Sequence, residues 1–310
     1  MNKLSIAVLS GGKSHEREVS LNSGKQVCAA LDPKKYSVIH YDPATDLANL
    51  VNDAHKIDFA FIVLHGSFGE DGTIQGLLEL LNIPYQGSGV LGSAIAMNKL
   101  ASKKLYEHAM LPVPTYYVLR KNGTFSLKQC LTDIGLPMIV KPVEGGSSIG
   151  MSIVKSADEL DDALHQAFSV DSTVLLEKKI NGIELTCGVI GNNTIEALPV
   201  VEIIPNKEFA FFNYIAKYTP GATNEICPAR IPDHIAKKAQ DYAIRAHQVL
   251  FCRGYSRTDM ILEGDECYLL ETNTIPGMTA TSLLPLAANV SGISFSELLD
   301  KLISLGLEKV

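Results

Sequence analysis

The residues best suited to chemistry lie near the C-terminus: Arg257 and Asp259, then Glu271 and Asn273, with Pro276-Gly277-Met278 just beyond. Two apolar runs, Met260–Leu262 and Cys267–Leu270, flank the polar turn Glu263-Gly264-Asp265-Glu266, a pattern that predicts a β-hairpin. Folding at that turn brings Asp259 within about one position of Glu271 on the opposite strand. Glu271 and Asn273 are two apart, so they project from the same face. Two carboxylates and an amide oxygen then converge beside an arginine. Hard oxygen donors of this kind suit Mg²⁺, which keeps several waters and binds substrate phosphates. On its own the hairpin fits a solvated strand end with ordinary surface acids equally well. The rest of the chain decides for the metal.

Three glycine-containing loops are the next candidates. Gly145-Gly146-Ser147-Ser148-Ile149-Gly150 links two expected strands, and its backbone N–H groups and the Ser147 and Ser148 hydroxyls could cradle phosphate oxygens. The spacing mimics a Walker A loop, but Met151 stands where that motif needs lysine and the loop leads into a strand. Lys141, just before the loop, could supply the cation instead. Taken alone, the glycines fit a tight hairpin somewhat better. Ser10-Gly11-Gly12-Lys13-Ser14-His15-Glu16 joins the first strand to the first helix and lacks the G-x-G-x-x-G dinucleotide fingerprint. Glu16 reads either as a carboxylate that holds an ammonium group or, more simply, as an acid at a helix start. His65-Gly66-Ser67-Phe68-Gly69-Glu70-Asp71-Gly72 follows the third strand. Its acids fit a helix N-terminus; a lone histidine such as His65 is more commonly a buried, satisfied one, but its place at a strand's carboxyl end, where α/β sheets bind ligands, favours a site role.

These loops need a framework, and the chain supplies an α/β one. Residues 1–95 alternate strand and helix: strands Ser5–Leu9, Ser37–Tyr41 and Phe59–Leu64, helices Leu21–Leu31 and Thr73–Leu81, and a short strand Pro84–Gln86. That alternation predicts a parallel sheet built from βαβ units. A second unit, 96–182, takes the end of a helix expected over Val90–Tyr106, then strands Met138–Lys141, Met151–Val154 and Thr173–Lys178 with a helix Ala157–Phe168. A third, 183–310, has strands Glu184–Ile190 and Thr194–Ile203, helix Pro232–Leu250, the hairpin, and a final helix Phe295–Leu305. The aperiodic segment Pro205–Glu225 reads as a lid.

Composition narrows the function classes. With 310 residues, 46% hydrophobic and 20% charged, the chain can bury a sizeable core. A net charge of −7 offers no basic field for nucleic acid. No stretch approaches the ~20 apolar residues of a membrane helix, and Leu4–Leu9 is too short for a signal peptide. The six cysteines are scattered without a C-x-x-C pair and read as reduced hydrophobes in a cytosolic protein.

Taken in order, the segments LSGGKSHEREVSLNSG, LHGSFGEDGTIQG, GGSSIGMS, Ala216-Lys217-Tyr218 and RTDMIL…YLLETNTIPGMTATSL closely resemble D-alanine–D-alanine ligases, members of the ATP-grasp fold. The resemblance covers essentially the whole chain. It implies three α/β domains, with ATP between the central and C-terminal ones, and formation of D-alanyl-D-alanine from two D-alanines with release of ADP and phosphate. It also implies roles. Lys99, Lys141, Glu177, Lys178, Glu184 and Lys217 would contact ATP, with Lys99, Lys141 and Ser148 at the phosphates. Glu177 and the backbone near Lys178 would read adenine, and Glu184 would hold the ribose. Asp259, Glu271 and Asn273 would hold two Mg²⁺ ions, for which Mn²⁺ can substitute. Arg257 and the Gly277 N–H would form an oxyanion site. Glu16 would grip the first D-alanine's ammonium, with His65 in the substrate set, and Ser282 and Leu283 would bind the second D-alanine's carboxylate. Glu16, Ser147 and Tyr218 would close the lid as a hydrogen-bonded trio. A cytoplasmic homodimer without nucleic-acid or membrane partners completes the picture. Ile215 and Gly145 depart from the family pattern and bear on the lid. Relatives that make D-alanyl-D-lactate lack the tyrosine found here at Tyr218, so an amine is the expected second nucleophile. The competing readings are an ATP-grasp ligase for another amino acid and a nucleotide-binding regulator without catalysis.

Overall fold

The computed structural model describes residues 3–121, 123, 126–146, 149–205 and 223–308. Ser147, Ser148, Ile215, Lys217 and Tyr218 lie outside the described residues. In chain order the elements are β1 (Leu4–Leu9), α1 (Arg17–Ala30), β2 (Tyr36–Tyr41), α2 (Leu47–Asp53), β3 (Phe59–Ile62), α3 (Thr73–Leu80), α4 (Val90–Met97) and α5 (Lys99–His108). There follow β4 (Tyr116–Arg120), α6 (Leu127–Asp133), β5 (Met138–Pro142), β6 (Ser152–Val154), α7 (Leu160–Val170) and β7 (Thr173–Lys178). The remainder is β8 (Ile183–Ile190), β9 (Glu196–Ala197), β10 (Val201–Pro205), β11 (Thr223–Ile226), α8 (Asp233–Val249), β12 (Tyr255–Glu263), β13 (Glu266–Asn273), α9 (Leu283–Val290) and α10 (Phe295–Leu307).

Three sheets organise the chain. The first has order β2-β1-β3 and is parallel throughout. Its strands β1 and β3 are largely apolar on both faces because both are covered, whereas the edge strand β2 exposes Ser37, Ile39 and His40. Ile6, Val8, Phe59 and Phe61 meet Leu298, Leu299, Leu302 and Ile303 of α10, whereas Ala7, Leu9, Ala60 and Ile62 meet Ile74 and Leu78 of α3. The end of the chain thus roofs its beginning, and each of those four α10 side chains contributes roughly 1.5–3 kcal/mol by burial. The second sheet, β4-β7-β5-β6, is antiparallel and is backed by α7. The third runs β11-β10-β8-β12-β13 with β9 beside β8, and α8 packs across it.

Several expected elements differ in the structure, each for a local reason. The helix expected over Val90–Tyr106 breaks at Asn98, whose extended backbone caps α5 while its side chain accepts the Ala101 N–H at 2.9 Å. An Asn that offers the backbone its own hydrogen bond favours a cap over a helix interior. The strand expected over Thr194–Ile203 splits into β9 and β10 around Leu198-Pro199-Val200, since Pro199 has no N–H for a ladder. Pro84–Gln86 makes one parallel bridge, Ala60 to Tyr85, beside β3. Helix α9, on which Leu283 sits, had no sequence expectation at all.

Candidate active site

The hairpin forms as read, with Gly264 at φ +61° in the two-residue turn, a conformation the primed hairpin turns require. In its register Asp259 faces Glu271 and Arg257 faces Asn273, and the ladder slips by one residue after Asp259. The four side chains therefore stand as a square on one face, while Thr258 and Thr272 point to the other and bond each other at 2.9 Å. Asp259 is buried and tightly held: Arg257 donates from Nε at 2.8 Å and Nη2 at 2.7 Å, Thr186 from Oγ1 at 2.6 Å, and Asn273 from Nδ2 at 3.1 Å. Thr186, opposite Asp259 on β8, is a member of this set that the sequence did not reveal.

Three members of the square, Arg257, Glu271 and Asn273, border a cavity of about 990 Å³. Arg257, Glu271, Asn273 and Gly277 line one side, and Glu16, His65 and Glu70 line another. Lys99, Gly145 and Gly146 reach it from the central unit, and Ser282 and Leu283 close it at the start of α9.

The first sheet positions Glu16 and His65 through its two strand-end loops. Gly11 and Gly12 take φ of +98° and +78°, which lets the loop turn over Asp42. Asp42 accepts the Gly12 N–H at 2.9 Å and pairs with Arg17 at 2.5 Å. Ser14 Oγ donates to the His65 carbonyl at 2.6 Å, tying the two loops together. A Cβ on Gly66 would lie 2.9 Å from Glu16 Oε2, and one on Gly146 would lie 3.1 Å from the same oxygen. Backbone from two separate loops therefore closes on one carboxylate.

Electrostatics distinguish the acids. Glu70 accepts the Gly66 N–H at 2.6 Å, and its pKa is pushed up to about 8 by burial and by the nearby Glu16 charge, with Glu271 adding to the effect. Its position at the helix-start end of a loop concealed it among ordinary acids in the sequence. Burial pulls the His65 pKa down, against the attraction of Glu16, so the imidazole is neutral near pH 7. A cation entering here meets Glu16 and Glu271, while an anion meets Arg257, Lys99 and the start of α9. At α9, Ser282 Oγ accepts the Thr279 N–H at 3.1 Å and does not cap the helix, so the first-turn N–H groups have no side-chain cap.

The remaining expected residues lie on α5, the second sheet and β8. Lys99, at the start of α5, donates to the Gly145 carbonyl at 2.6 Å and so tethers the Gly-rich loop. Glu177 is buried between two lysines: Lys141 at 3.0 Å on Oε2 and Lys103 at 3.1 Å on Oε1. The two cations hold the Glu177 carboxyl below its ordinary range even though burial works the other way. The sequence places Lys103 with Lys99 and Lys104 on the expected helix but gives it no role; its place four residues after Lys99 puts both on one helix face. The Lys178 N–H donates to the Thr115 carbonyl at 2.8 Å and is thereby committed to the strand. Glu184 lies on β8, opposite Ile203 and Ile261. Among the described residues, no three Asp, Glu, His or Cys side chains converge as a metal cluster. The hairpin set is instead two carboxylates and an amide, a hard-oxygen donor group that fits a cation retaining water and phosphate ligands.

Comparisons with known proteins identify the family. A family profile described as "D-ala D-ala ligase C-terminus" matches residues 105–304, and one described as "D-ala D-ala ligase N-terminus" matches residues 5–49 and 42–88. The chain is 60% identical to a D-alanine–D-alanine ligase of Syntrophobacter fumaroxidans, covering 99% of this chain and 98% of that protein. It is 54% identical to one from Desulfotalea psychrophila, covering 99% and 96%. Among solved structures, the Bacillus anthracis D-alanine–D-alanine ligase complexed with ATP superposes with a TM-score of 0.86 at 36% identity, covering 98% of this chain and 97% of that one. The VanG D-Ala:D-Ser ligase of Enterococcus faecalis gives 0.85 at 34% identity, covering 99% and 100%. The chain belongs to the D-alanine–D-alanine ligase family and has its ATP-grasp fold.

Proposed function

We propose that the protein joins two D-alanines into D-alanyl-D-alanine while cleaving ATP to ADP and phosphate, supplying a precursor for peptidoglycan. The observation that carries this reading is that Arg257, Glu271 and Asn273 line one cavity together with Glu16, with Asp259 hydrogen-bonded to Arg257 and Asn273 beside it. A free carboxylate is a poor acyl donor because its leaving group would be oxide. Phosphorylation replaces that group by phosphate, but two anions must first be brought together. Arg257, Lys141 and Lys217 neutralise the approaching phosphates, and in-line transfer then needs mainly positioning. Asp259, Glu271 and Asn273 would hold the two Mg²⁺ ions, or Mn²⁺, which supply further charge neutralisation. Lys99 and Ser148 also serve the phosphates, Glu177 and the backbone near Lys178 serve adenine, and Glu184 serves the ribose.

Glu16 holds the first D-alanine's ammonium, with His65 beside it, and orients the carboxylate toward Arg257. The uncapped start of α9, at Ser282 and Leu283, suits the carboxylate of the second D-alanine. Attack by the second amine builds an oxyanion that Arg257 and the Gly277 N–H stabilise, and losing one such donor typically costs ~10²–10³ in rate. The acylphosphate must be kept from water, which assigns a closing role to Ser147, Tyr218 and the segment from Pro205 to Glu225. The same reading carries a cytoplasmic homodimer; among the described residues no helix is long and apolar enough to cross a membrane.

The test is phosphate release with Mg²⁺ and ATP across D- and L-amino acids, with the dipeptide identified by mass. D-alanine-dependent release with L-alanine inert is expected. No release with any amino acid would favour a non-catalytic nucleotide binder. Release only with a different D-amino acid would favour another specificity.

A further inference from the structure

Lys103 has none of its surface exposed, which is costly for an ammonium group. Its partner, Glu177, already has a cation: Lys141 Nζ lies 3.0 Å from Oε2, while Lys103 Nζ lies 3.1 Å from Oε1. One lysine suffices to neutralise one carboxylate, so the second needs a reason. The two lysines are not equivalent. Lys103 comes from α5 and sits 5.4 Å from the centre of the Tyr116 ring, and Tyr116 faces Glu177 across the β4–β7 ladder. It is enclosed on a helix and a sheet and cannot extend toward a ligand. Lys141 keeps a tenth of its side chain exposed and stands four residues before Gly145, at the root of the Gly-rich loop.

We propose that Lys103 is a positioning residue, the standing counter-ion of Glu177, which frees Lys141 to exchange Glu177 for a phosphate oxygen when nucleotide enters. This role presupposes Lys141 as a phosphate contact, as in the function proposed above. Without Lys103, the departure of Lys141 would leave the buried Glu177 carboxylate with no counter-cation, only the neutral adenine edge beside it, a costly state for a buried ion pair. With it, Glu177 keeps one partner throughout. The strain in the resting triad points the same way: burial, together with repulsion from Lys141, pulls the Lys103 pKa down to about 8 against the attraction of Glu177. Moving Lys141 away removes that repulsion.

The experiment compares calorimetric affinities for adenosine and ADP, whose ratio isolates the phosphate contribution. Lys103→Met should lock Lys141 onto Glu177 and shrink that ratio by about 10- to 100-fold, the range of one charge-assisted hydrogen bond. Lys103→Arg should keep the ratio. Lys103→Met combined with Glu177→Gln should restore it, because Lys141 is released when the carboxylate is gone. A purely structural Lys103 would weaken both ligands alike, with no recovery in the double variant, and that result overturns the proposal. A wild-type protein that binds ADP no better than adenosine would instead sink the phosphate reading of Lys141 itself. If Lys103→Met does not fold, a crystal structure of the wild type with ADP decides. Lys141 on phosphate and Lys103 still on Glu177 supports the exchange; Lys141 still on Glu177 overturns it.

Discussion

Asp259→Asn changes one atom's chemistry at almost constant volume, and the structure sets what that change costs. The carboxylate accepts two hydrogen bonds from Arg257, one from Thr186 and one from Asn273. An amide has one acceptor oxygen, and its NH₂ must then face another donor. Arg257, only 9% exposed, loses its counter-charge at the same time. Breaking a buried pair by neutralising one partner costs about 3–5 kcal/mol, and the lower figure is apt here because Arg257 borders an acidic cavity. With roughly 2.1 cal/mol/K of unfolding entropy per residue, ~3 kcal/mol lowers the melting temperature by about 5 °C for a chain of this length. Phosphate release should fall about a hundredfold at ordinary Mg²⁺, since a lost ligand costs no less than a lost outer-shell partner, and should recover in part at high Mg²⁺. Thermal melts and a Mg²⁺ titration of phosphate release read both effects. Wild-type melting together with full activity at ordinary Mg²⁺ would refute both the pairing energetics and the metal assignment.

Three other outcomes are expected. Gly66 holds φ +69°, and a Cβ there would press on Glu16 Oε2; Gly66→Ala should therefore cost ~1–2 kcal/mol in backbone strain and raise KM for D-alanine severalfold while leaving KM for ATP unchanged. An unmoved D-alanine KM in steady-state kinetics would remove Glu16 from the ammonium site. His247, buried and 2.8 Å from Ser256 Oγ, has its pKa lowered to about 4 by burial. Because the unfolded chain takes up the proton first, stability is intact above about pH 6.5 and declines by up to roughly 3 kcal/mol as pH falls toward 4. Urea unfolding from pH 7.5 to 4.5 should show that decline, and His247→Gln should flatten it. Tyr218→Phe should keep ATP binding but shift acceptor preference from D-alanine toward D-lactate at neutral pH, and unchanged selectivity in a competition assay would count against the lid trio.

The hairpin was legible in the sequence because a two-residue turn fixes register, and register fixes which side chains share a face. Counting from the turn placed Asp259 within about one position of Glu271, and the one-residue slip after Asp259 brings the two directly opposite. Strands β1, β3 and β7 were legible from continuous apolar runs. What escaped was tertiary in origin. Nothing in Phe295–Leu307 announces that its apolar stripe covers a sheet at the other end of the chain. Asn98 reads as a neutral helix residue until its side chain is seen capping α5. Glu70, Lys103 and Thr186 are ordinary residue types whose significance comes from enclosure and partners. Lys103 alone left a trace, its spacing of four from Lys99.

The most direct test uses D-alanine labelled with ¹⁸O in both carboxylate oxygens, incubated with unlabelled ATP, Mg²⁺ and the enzyme. If the residues gathered in the cavity move a phosphoryl group onto that carboxylate, amide formation leaves one ¹⁸O atom in the inorganic phosphate for each dipeptide made. Unlabelled phosphate, or label appearing in AMP, would contradict carboxylate phosphorylation and the site chemistry built on it.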